Sequence, residues 1–435
     1  MGIANILFIV LLIAAVFLFT KNVRKIIRNI NLGKELDRSD NKPLRWKTMA
    51  MVAIGQSKMI TRPVAGIMHI FVYVGFVLIN IEVAEMLVDG VFGTHRFLSF
   101  LGNFYNFLIG FFEILGFLVT LGCTVFLIRR NIIKLKRFMN KELDGWPRSD
   151  ANIILISEIL LMSALFTMNA CDQLLQQTAS EHYIHAGSFP ISQFITPLFV
   201  GMSQSKLIFI ERSCWWFHII GILGFLNYLP YSKHFHIILA FPNVFYSNLN
   251  AKGKFTNLES VTKEVKLMLD PSATPPPADA PPGKFGAKDV FDLTWKQLMD
   301  AYTCTECGRC TSSCPANQTG KLLSPRKIMM DTRDRLEEVG KNIDKNGKFI
   351  DDEKTLLSNY ITPEELWACT SCNACVQECP VNIDPLSIII DLRRYLVMEQ
   401  SAAPQELNLM FTNVENNGAP WQFSPADRLN WENEN

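Results

Sequence analysis

The sequence lacks an excess of charge of either sign and has few charged residues of any kind. Its 435 residues include 42 Lys and Arg against 41 Asp and Glu, and charged residues make up 19% of the chain. A dedicated nucleic-acid-binding protein would carry a basic excess, so the near-zero net charge argues against that class. Disorder is excluded for most of the chain because 49% of its residues are hydrophobic and 31 are Phe.

Charges are absent over long stretches of the first half of the chain, which is typical of membrane-spanning helices. The run 3–20 has 18 residues without a charge, which is just long enough to cross a bilayer. No Lys or Arg precedes this run and no small-residue cleavage site follows it, so a removable signal peptide is not expected. Four further spans are predicted at 64–88, 104–128, 151–171 and 213–236.

The apolar stretch 191–210 is interrupted by Pro197 and Gly201, so it is predicted to be interfacial or re-entrant and not a sixth span. The connection 21–62 holds eleven Lys and Arg and the connection 129–150 holds seven, whereas the other two connections hold three together. The positive-inside rule places the two basic connections in the cytoplasm. We therefore expect a multi-pass protein of the cell inner membrane, with its N-terminus outside and everything after the fifth span inside.

Histidine is scarce, and all seven histidines lie before residue 240. His69 and His236 each fall near the cytoplasmic end of a predicted span, which suits bis-imidazole ligation of a haem iron between two helices. His218 precedes His236 by 18 residues, or five helical turns, so both would share one face of a continuous helix while His234 would point away. The alternative is that His69 only bonds a neighbouring helix and His236 anchors the interface.

A second haem at His218 would need another histidine at the outer side of the bundle. The predicted span 64–88 offers none there, and the histidines on the outer connections are interpreted as surface polar residues: His95, His182 and His185. Acids within spans are rare and mark proton or quinone sites. The quinone-site candidates are Glu82, Glu85, Glu113 and Glu158.

Eight of the eleven cysteines form two C-x2-C-x2-C-x3-C-P runs, which are typical of proteins with two [4Fe–4S] clusters. In such runs the fourth cysteine ligates the other cluster. The first cluster is therefore predicted to bind Cys304, Cys307, Cys310 and Cys379. The second is predicted to bind Cys369, Cys372, Cys375 and Cys314. Structural zinc uses paired C-x2-C units, and disulfides are not expected in the cytoplasm.

The region around the cysteines is predicted to be helical and internally duplicated. Ser324 and Asp384 each precede a proline after a cysteine run, which indicates a helix N-cap, and Thr362 opens a capping box. The three remaining cysteines lie in or near spans and are interpreted as packing residues: Cys123, Cys171 and Cys214.

These motifs carry two family resemblances. The stretch Tyr228 to His236 (YLPYSKHFH), with His218 before it, resembles the haem b-binding gamma subunit of respiratory nitrate reductase. That family binds two b haems through four histidines, of which His69, His218 and His236 match three, whereas Ile79 stands at the fourth. The resemblance implies one haem b, with a second as an alternative.

The cysteine runs (CTECGRCTSSCPANQTGK and CTSCNACVQECP) resemble the helical ferredoxin module of heterodisulfide reductases. Related fused proteins, including electron-transfer-flavoprotein:menaquinone oxidoreductases, continue into a cysteine-rich domain with CC pairs. No CC pair occurs here. The resemblance therefore implies a separate cysteine-rich CC-motif Fe–S subunit, with an electron-transfer flavoprotein and menaquinone as further partners.

The sequence thus predicts an all-α protein, a five-span transmembrane helix bundle followed by a cytoplasmic helical ferredoxin domain. The expected divisions are a cytochrome b-like domain at 1–245, a linker with a Pro-rich stretch at 246–286, the ferredoxin domain at 287–405 and a partner-docking tail at 406–435.

The expected function is that of an oxidoreductase subunit moving electrons between the menaquinone pool and a cytoplasmic redox partner. The alternatives are a quinol-oxidising subunit of a heterodisulfide reductase-like complex and a membrane-anchored Fe–S sensor without turnover.

Overall fold

The computed structural model describes residues 2–178, 182–270, 272 and 284–433, and no strand is found among them. The protein is all-α, as predicted. The helices of the first part are α1 (Ile3–Ile30), α2 (Lys42–Met49), α3 (Pro63–Phe92), α4 (Asn103–Leu127), α5 (Trp146–Gln177), α6 (Gln204–Tyr228), α7 (His236–Phe245) and α8 (Glu259–Leu269). The helices of the second part are α9 (Trp295–Thr303), α10 (Arg309–Ser312), α11 (Pro315–Gln318), α12 (Pro325–Asn346), α13 (Pro363–Trp367), α14 (Ala374–Glu378), α15 (Pro385–Met398) and α16 (Gln405–Asn417).

Five of these helices are long and apolar enough to cross a membrane, which confirms the predicted number of spans. They are α1, α3, α4, α5 and α6. Each extends beyond the apolar run that predicted it, because hydropathy detects the hydrocarbon layer whereas local signals set the helix ends. Helix α3, for example, begins at Pro63 and ends before Gly93, whose φ of 74° is the left-handed conformation that favours glycine.

The five spans form a ring in which α3 packs on α4, α4 on α5, α5 on α6, and α1 on both α3 and α6. Within the described residues, α3 and α6 make no extensive direct contact. At one end of the bundle α1 closes the ring, since Asn5 donates to the Gly90 carbonyl at 2.9 Å and the Phe8 ring leaves no room for a Cβ on Gly90. We call this the far end.

The fifth span does not continue as a helix to residue 236, so the expectation of one continuous helix was wrong. Helix α6 ends at Tyr228, two short 3-10 turns follow, and α7 begins at His236. Pro230 removes a backbone donor at the break, and the Asp150 carboxylate holds the turn by accepting from the Ser232 hydroxyl at 2.6 Å and the Lys233 amide at 3.2 Å. His218 and His236 therefore do not share one helix face.

The interrupted stretch 191–210 is divided between two elements. Its first part forms the 3-10 turns Ser192–Phe194 and Thr196–Leu198, and its last part is already in α6. The Glu113 carboxylate holds the turns, accepting from the Ile191 amide at 2.8 Å and from the amide and hydroxyl of Ser192. The stretch is not a sixth span, as predicted.

Residues 287–405, here called the cysteine domain, pack on the end of the bundle opposite the far end. Helix α1 continues past the bilayer region, and its residues Ile26 and Ile30 join the apolar core of the cysteine domain. The Asn29 amide donates to the Tyr302 hydroxyl at 2.8 Å. The predicted caps are confirmed at Ser324, Thr362 and Asp384, whose side chains accept from backbone amides three residues ahead.

The predicted linker, 246–286, contains the helix α8, which was not expected. The prolines that define its Pro-rich stretch lie mostly outside the described residues.

The basic connection 129–150 also contacts the cysteine domain, through the buried Arg326. Its guanidinium donates to the Arg137 carbonyl at 2.7 Å and to the Glu142 carboxylate at 2.8 Å. Removing one partner of a buried ion pair leaves the other charge uncompensated. The Arg326 side chain is 0% exposed and that of Glu142 13%.

We expect Arg326→Met to lower the free energy of unfolding by about 3 kcal/mol and to make the cysteine domain more sensitive to limited proteolysis. The matched control is Lys345→Met, since Lys345 is exposed and makes no ion pair among the described residues. Thermal unfolding in detergent measures both variants. Equal unfolding temperatures for the two would contradict the assigned role of Arg326.

Candidate metal centres

The two cysteine runs fold into loops with the same backbone pattern. In the first loop Glu306 and Gly308 have φ of 55° and 71°, and in the second Ser371 and Asn373 have φ of 57° and 60°. The residues occupy equivalent positions, two and four places after the first cysteine of each run. Left-handed residues turn successive amides inward, which makes a concavity that suits an anionic cluster. The structure therefore supports the internal duplication inferred from the sequence.

The fold brings the cysteines together across the two runs. Cys379 of the second run lies within electrostatic range of Cys304 and Cys307, and Cys310 within range of all three. Likewise Cys314 of the first run lies within range of Cys369 and Cys375. The second group also contains Cys372, which faces Cys369. These are the two sets of four that crossed ligation requires.

The two groups are neighbours in space. Cys310 is also within electrostatic range of Cys375, and the short helices α10 and α14 that carry these residues pack on each other. No three His, Cys, Asp or Glu side chains converge on one point among the described residues, as a single metal ion would need. Cysteines spread around a volume suit a cubane cluster, which is ligated at four separate corners.

Burial makes these thiols unreactive as free groups. It raises the pKa of Cys304 and of Cys379 to about 12, with the neighbouring cysteines adding to the effect. A structural thiol of raised pKa is a poor nucleophile, so the groups do not resemble a thiol reductase site. Ligation to iron would supply the compensating positive charge. Amides are already directed at the sulfurs, since Ser371 N lies 3.4 Å from Cys369 Sγ and Ile383 N lies 3.3 Å from Cys379 Sγ.

The first cysteine group rests directly on the loop before α3. Arg309, inside the first run and 3% exposed, donates to the carbonyl of Lys58 at 2.8 Å and to that of Met59 at 3.1 Å. Lys58 in turn donates to the Cys379 carbonyl at 3.2 Å. Arg62 donates to Glu378 at 3.1 Å. The basic residues of the connection 21–62 therefore hold the cysteine loops against the bundle.

Three histidines gather at the same end of the bundle. His69 of α3 is within electrostatic range of His236 and of Arg309, and the rings of His234 and His236 lie 5.4 Å apart. The expected separation of His234 from His236 was wrong, because the 3-10 turn Lys233–Phe235 replaces regular helix there. His236 Nδ1 lies 3.0 Å from the Lys233 carbonyl, whereas the buried His69 Nδ1 has no hydrogen-bond partner among the described residues.

The other histidines are engaged separately. His218 lies about midway along α6, not near its start, because that helix begins earlier than predicted. Its Nδ1 lies 2.9 Å from the Leu161 carbonyl of α5. His95 contacts Asp172 at 3.2 Å, His182 packs against His95, and His185 contacts Gln176 at 3.2 Å. No described histidine is placed opposite His218.

The four intramembrane acids fall into two pairs. Glu85 accepts from the Leu98 amide at 2.8 Å and from the Tyr105 hydroxyl at 3.0 Å, and Glu113 holds the turns after residue 190. These two have structural partners. Glu82 and Glu158 make no hydrogen bond or ion pair with any described residue.

A buried ion network joins the histidine turn to the first cysteine loop, and no sequence pattern indicated it. The Lys233 ammonium bonds the Glu306 carboxylate, which Arg333 also contacts at 2.8 Å. Lys233 also supplies the carbonyl that faces His236 Nδ1. Only the position of Glu306 inside the C-T-E-C segment could have suggested a role for it.

Comparison with known proteins adds to this geometry. Residues 303–383 match the family described as "4Fe-4S dicluster domain". The chain is 30% identical over 99% of its length to the "Probable iron-sulfur-binding oxidoreductase FadF" of Bacillus subtilis, covering 61% of that protein. It is 29% identical over 91% of its length to the "EtfAB:quinone oxidoreductase" of Syntrophomonas wolfei, covering 55% of that protein.

A third relative resembles the cysteine region alone. Over 27% of this chain it is 32% identical to one subunit of the "Ferredoxin/F(420)H(2)-dependent CoB-CoM heterodisulfide reductase" of Methanosarcina acetivorans, 60% of which is covered. No solved structure matches the chain. The chain therefore contains a [4Fe–4S] dicluster domain and is similar to iron–sulfur oxidoreductases, and it spans about three fifths of the two longer relatives.

Crossed ligation predicts that Cys379→Ser damages the cluster of the first run, whereas Cys314→Ser damages that of the second. The reason is that each residue lies with the three leading cysteines of the other run. Electron paramagnetic resonance of the reduced variants distinguishes the two clusters.

The control for this pair is Cys214→Ser, since Cys214 lies in α6 away from both groups. It should leave both signals unchanged. If Cys379→Ser removed only the second-run signal, ligation within each run would replace the crossed arrangement.

The network predicts that Lys233→Met lowers the reduction potential of the first-run cluster. Reduction adds a negative charge, and the variant removes a nearby positive one. A unit charge about 10 Å away is worth roughly 1–2 kcal/mol at an effective dielectric of about 20. Glu306→Gln should shift the potential in the opposite direction. Potentiometric titration measures both, and an unchanged potential in Lys233→Met would show that the ammonium is only structural.

Proposed function

We propose that this protein is a membrane oxidoreductase subunit that moves electrons between the menaquinone pool and a soluble redox partner. The observation that carries the proposal is the joining of two crossed cysteine groups to a buried histidine group at one end of a five-span bundle. Similarity to iron–sulfur and quinone oxidoreductases supports it. The proposed cluster ligands are the two sets Cys304, Cys307, Cys310, Cys379 and Cys369, Cys372, Cys375, Cys314.

The two clusters have different positions relative to the bundle. The first-run group contacts the bundle through Arg309 and Lys58, and Arg309 is within electrostatic range of both His69 and Cys307. Cys372 of the second group is exposed. The first cluster is therefore suited to exchange electrons with the membrane part, and the second with a soluble partner.

The histidine group fits a haem b held by His69 and His236. When bound, the haem would supply a one-electron carrier within the bundle. His69 has an unpartnered ring nitrogen, and α3 and α6 make no extensive contact within the described residues. The Lys233 carbonyl fixes the Nδ1 side of His236 and leaves its Nε2 for a ligand. The nitrate reductase gamma resemblance gives the same pair, and His218 lacks a counterpart, so we propose one haem.

The quinone candidates separate by their hydrogen bonding. Glu85 and Glu113 hold backbone and side-chain groups of their own fold, so they are proposed as structural acids. Glu82 and Glu158 have no such partners among the described residues and remain proposed quinone or proton sites.

The proposed orientation places the cysteine domain in the cytoplasm, because it packs on the two basic connections that the positive-inside rule assigns to that side. We retain the divisions 1–245, 246–286, 287–405 and 406–435 as part of the proposal. A CC-motif Fe–S subunit and an electron-transfer flavoprotein are the proposed partners, in agreement with the names of the relatives.

The test of the function is purification in mild detergent, followed by iron and haem counts and a visible spectrum. We expect about eight irons and one b-type haem per chain, and reoxidation of the chemically reduced centres by a menaquinone analogue. Clusters without haem and without quinone-dependent reoxidation would favour the Fe–S sensor instead.

The haem assignment predicts that His69→Ala and His236→Ala abolish the b-type α-band. His234→Ala should perturb the band without abolishing it, because its ring packs beside His236 while His236 alone faces the Lys233 carbonyl. Haem content measured as the pyridine haemochrome separates loss from perturbation, with His185→Ala as the control. Loss of haem in His234→Ala together with its retention in His236→Ala would reassign the ligand.

A further inference from the structure

The second-run loop exposes one sulfur to solvent. Of the eight motif cysteines, Cys372 is exposed, whereas the others are buried or half-buried. Electron transfer weakens steeply with distance, so a soluble carrier must approach the centre at its least covered edge. On the proposed assignment of ligands, that edge is at Cys372.

A basic loop lies beside this edge. Residues 251–257 are all exposed, and a Cβ on Gly253 would lie 4.0 Å from the Asn373 side-chain nitrogen, next to Cys372. The Arg394 guanidinium donates to the Thr256 carbonyl and fixes the other end of the loop. The loop is therefore held against the second cysteine run.

The charges on this loop are not compensated. Lys252 and Lys254 make no ion pair among the described residues, and Lys252 is within electrostatic range of the basic Lys58. The acid of the neighbouring helix α14, Glu378, is already paired with Arg62 at 3.1 Å. Exposed and unpaired lysines at an electron-exchange edge raise the rate of encounter with a partner of opposite charge.

We infer that Lys252, Lys254 and the exposed edge at Cys372 form a docking surface for the acidic face of a soluble one-electron carrier. The inference rests on the proposed function, because it needs the second cluster at this edge. In each encounter the carrier loses one electron and the cluster gains one, or the reverse, and no bond is made or broken.

The test uses the full-length protein and reduced flavodoxin, an acidic flavoprotein, as the probe carrier. Flavodoxin hydroquinone gives one electron and becomes the semiquinone as the cluster is reduced. For Lys252→Glu with Lys254→Glu we expect at least a tenfold lower second-order rate constant at low ionic strength. The deficit should shrink at high salt, where screening shortens electrostatic range.

Two further measurements keep the result specific. Biolayer interferometry with oxidised flavodoxin should show weaker binding by the double variant, with no electron transfer involved. The matched control reverses two exposed lysines beyond the cysteine loops, Lys345→Glu with Lys348→Glu, and should keep wild-type rate and affinity.

Unchanged rate and binding in the loop variant would overturn the inference, and so would an equal loss in the control. Dithionite reduction of each protein separates this outcome from a failure of the proposed function. Both cluster signals should appear in every variant. If the unmutated protein gave no cluster signals, the proposed function would fail and the docking surface with it.

Discussion

The buried Asp150 carboxylate fixes the break between α6 and α7, and the arrangement of the metal-binding residues depends on that break. Asp150 accepts from the side chains of Tyr228 and Ser232 and from the Lys233 amide, so it satisfies the polar groups that the interrupted helix leaves open. Once the chain turns here, His234 and His236 face the same region, and the Lys233 ammonium reaches Glu306. A continuous helix would separate these groups by its own periodicity.

The same turn explains how a membrane bundle and a cysteine domain can hold their centres in a fixed relation. Lys233 touches the histidine group through its carbonyl and the first cysteine loop through its side chain. A second set of contacts comes from the other side, where Arg309 inserts into the loop before α3. Both sets involve groups that are largely buried, so breaking either would leave a charge without its partner. Rigid spacing between electron carriers follows from this double attachment.

The sequence predicted the fold class, the number of spans and the helix caps around the cysteines, because each has a local signal. Hydropathy identifies a span, and a serine before a proline identifies a helix start, without knowledge of the rest of the chain. The break at Pro230 was harder to predict, since proline within a span often only kinks the helix. What decides it here is Asp150, about eighty residues earlier in sequence, and no local pattern connects the two.

The intramembrane acids show the same limit at the level of function. All four looked alike in sequence, yet Glu113 is consumed by the turns after residue 190 and Glu85 by Tyr105 and a backbone amide. A buried carboxylate with several donors is stabilised in place and has little freedom to exchange a proton. Glu82 and Glu158 lack such donors among the described residues, so their cost of burial is unmet by the protein itself. An acid in that state must take up a proton or meet a partner that the fold does not supply, which is the property that a quinone site requires.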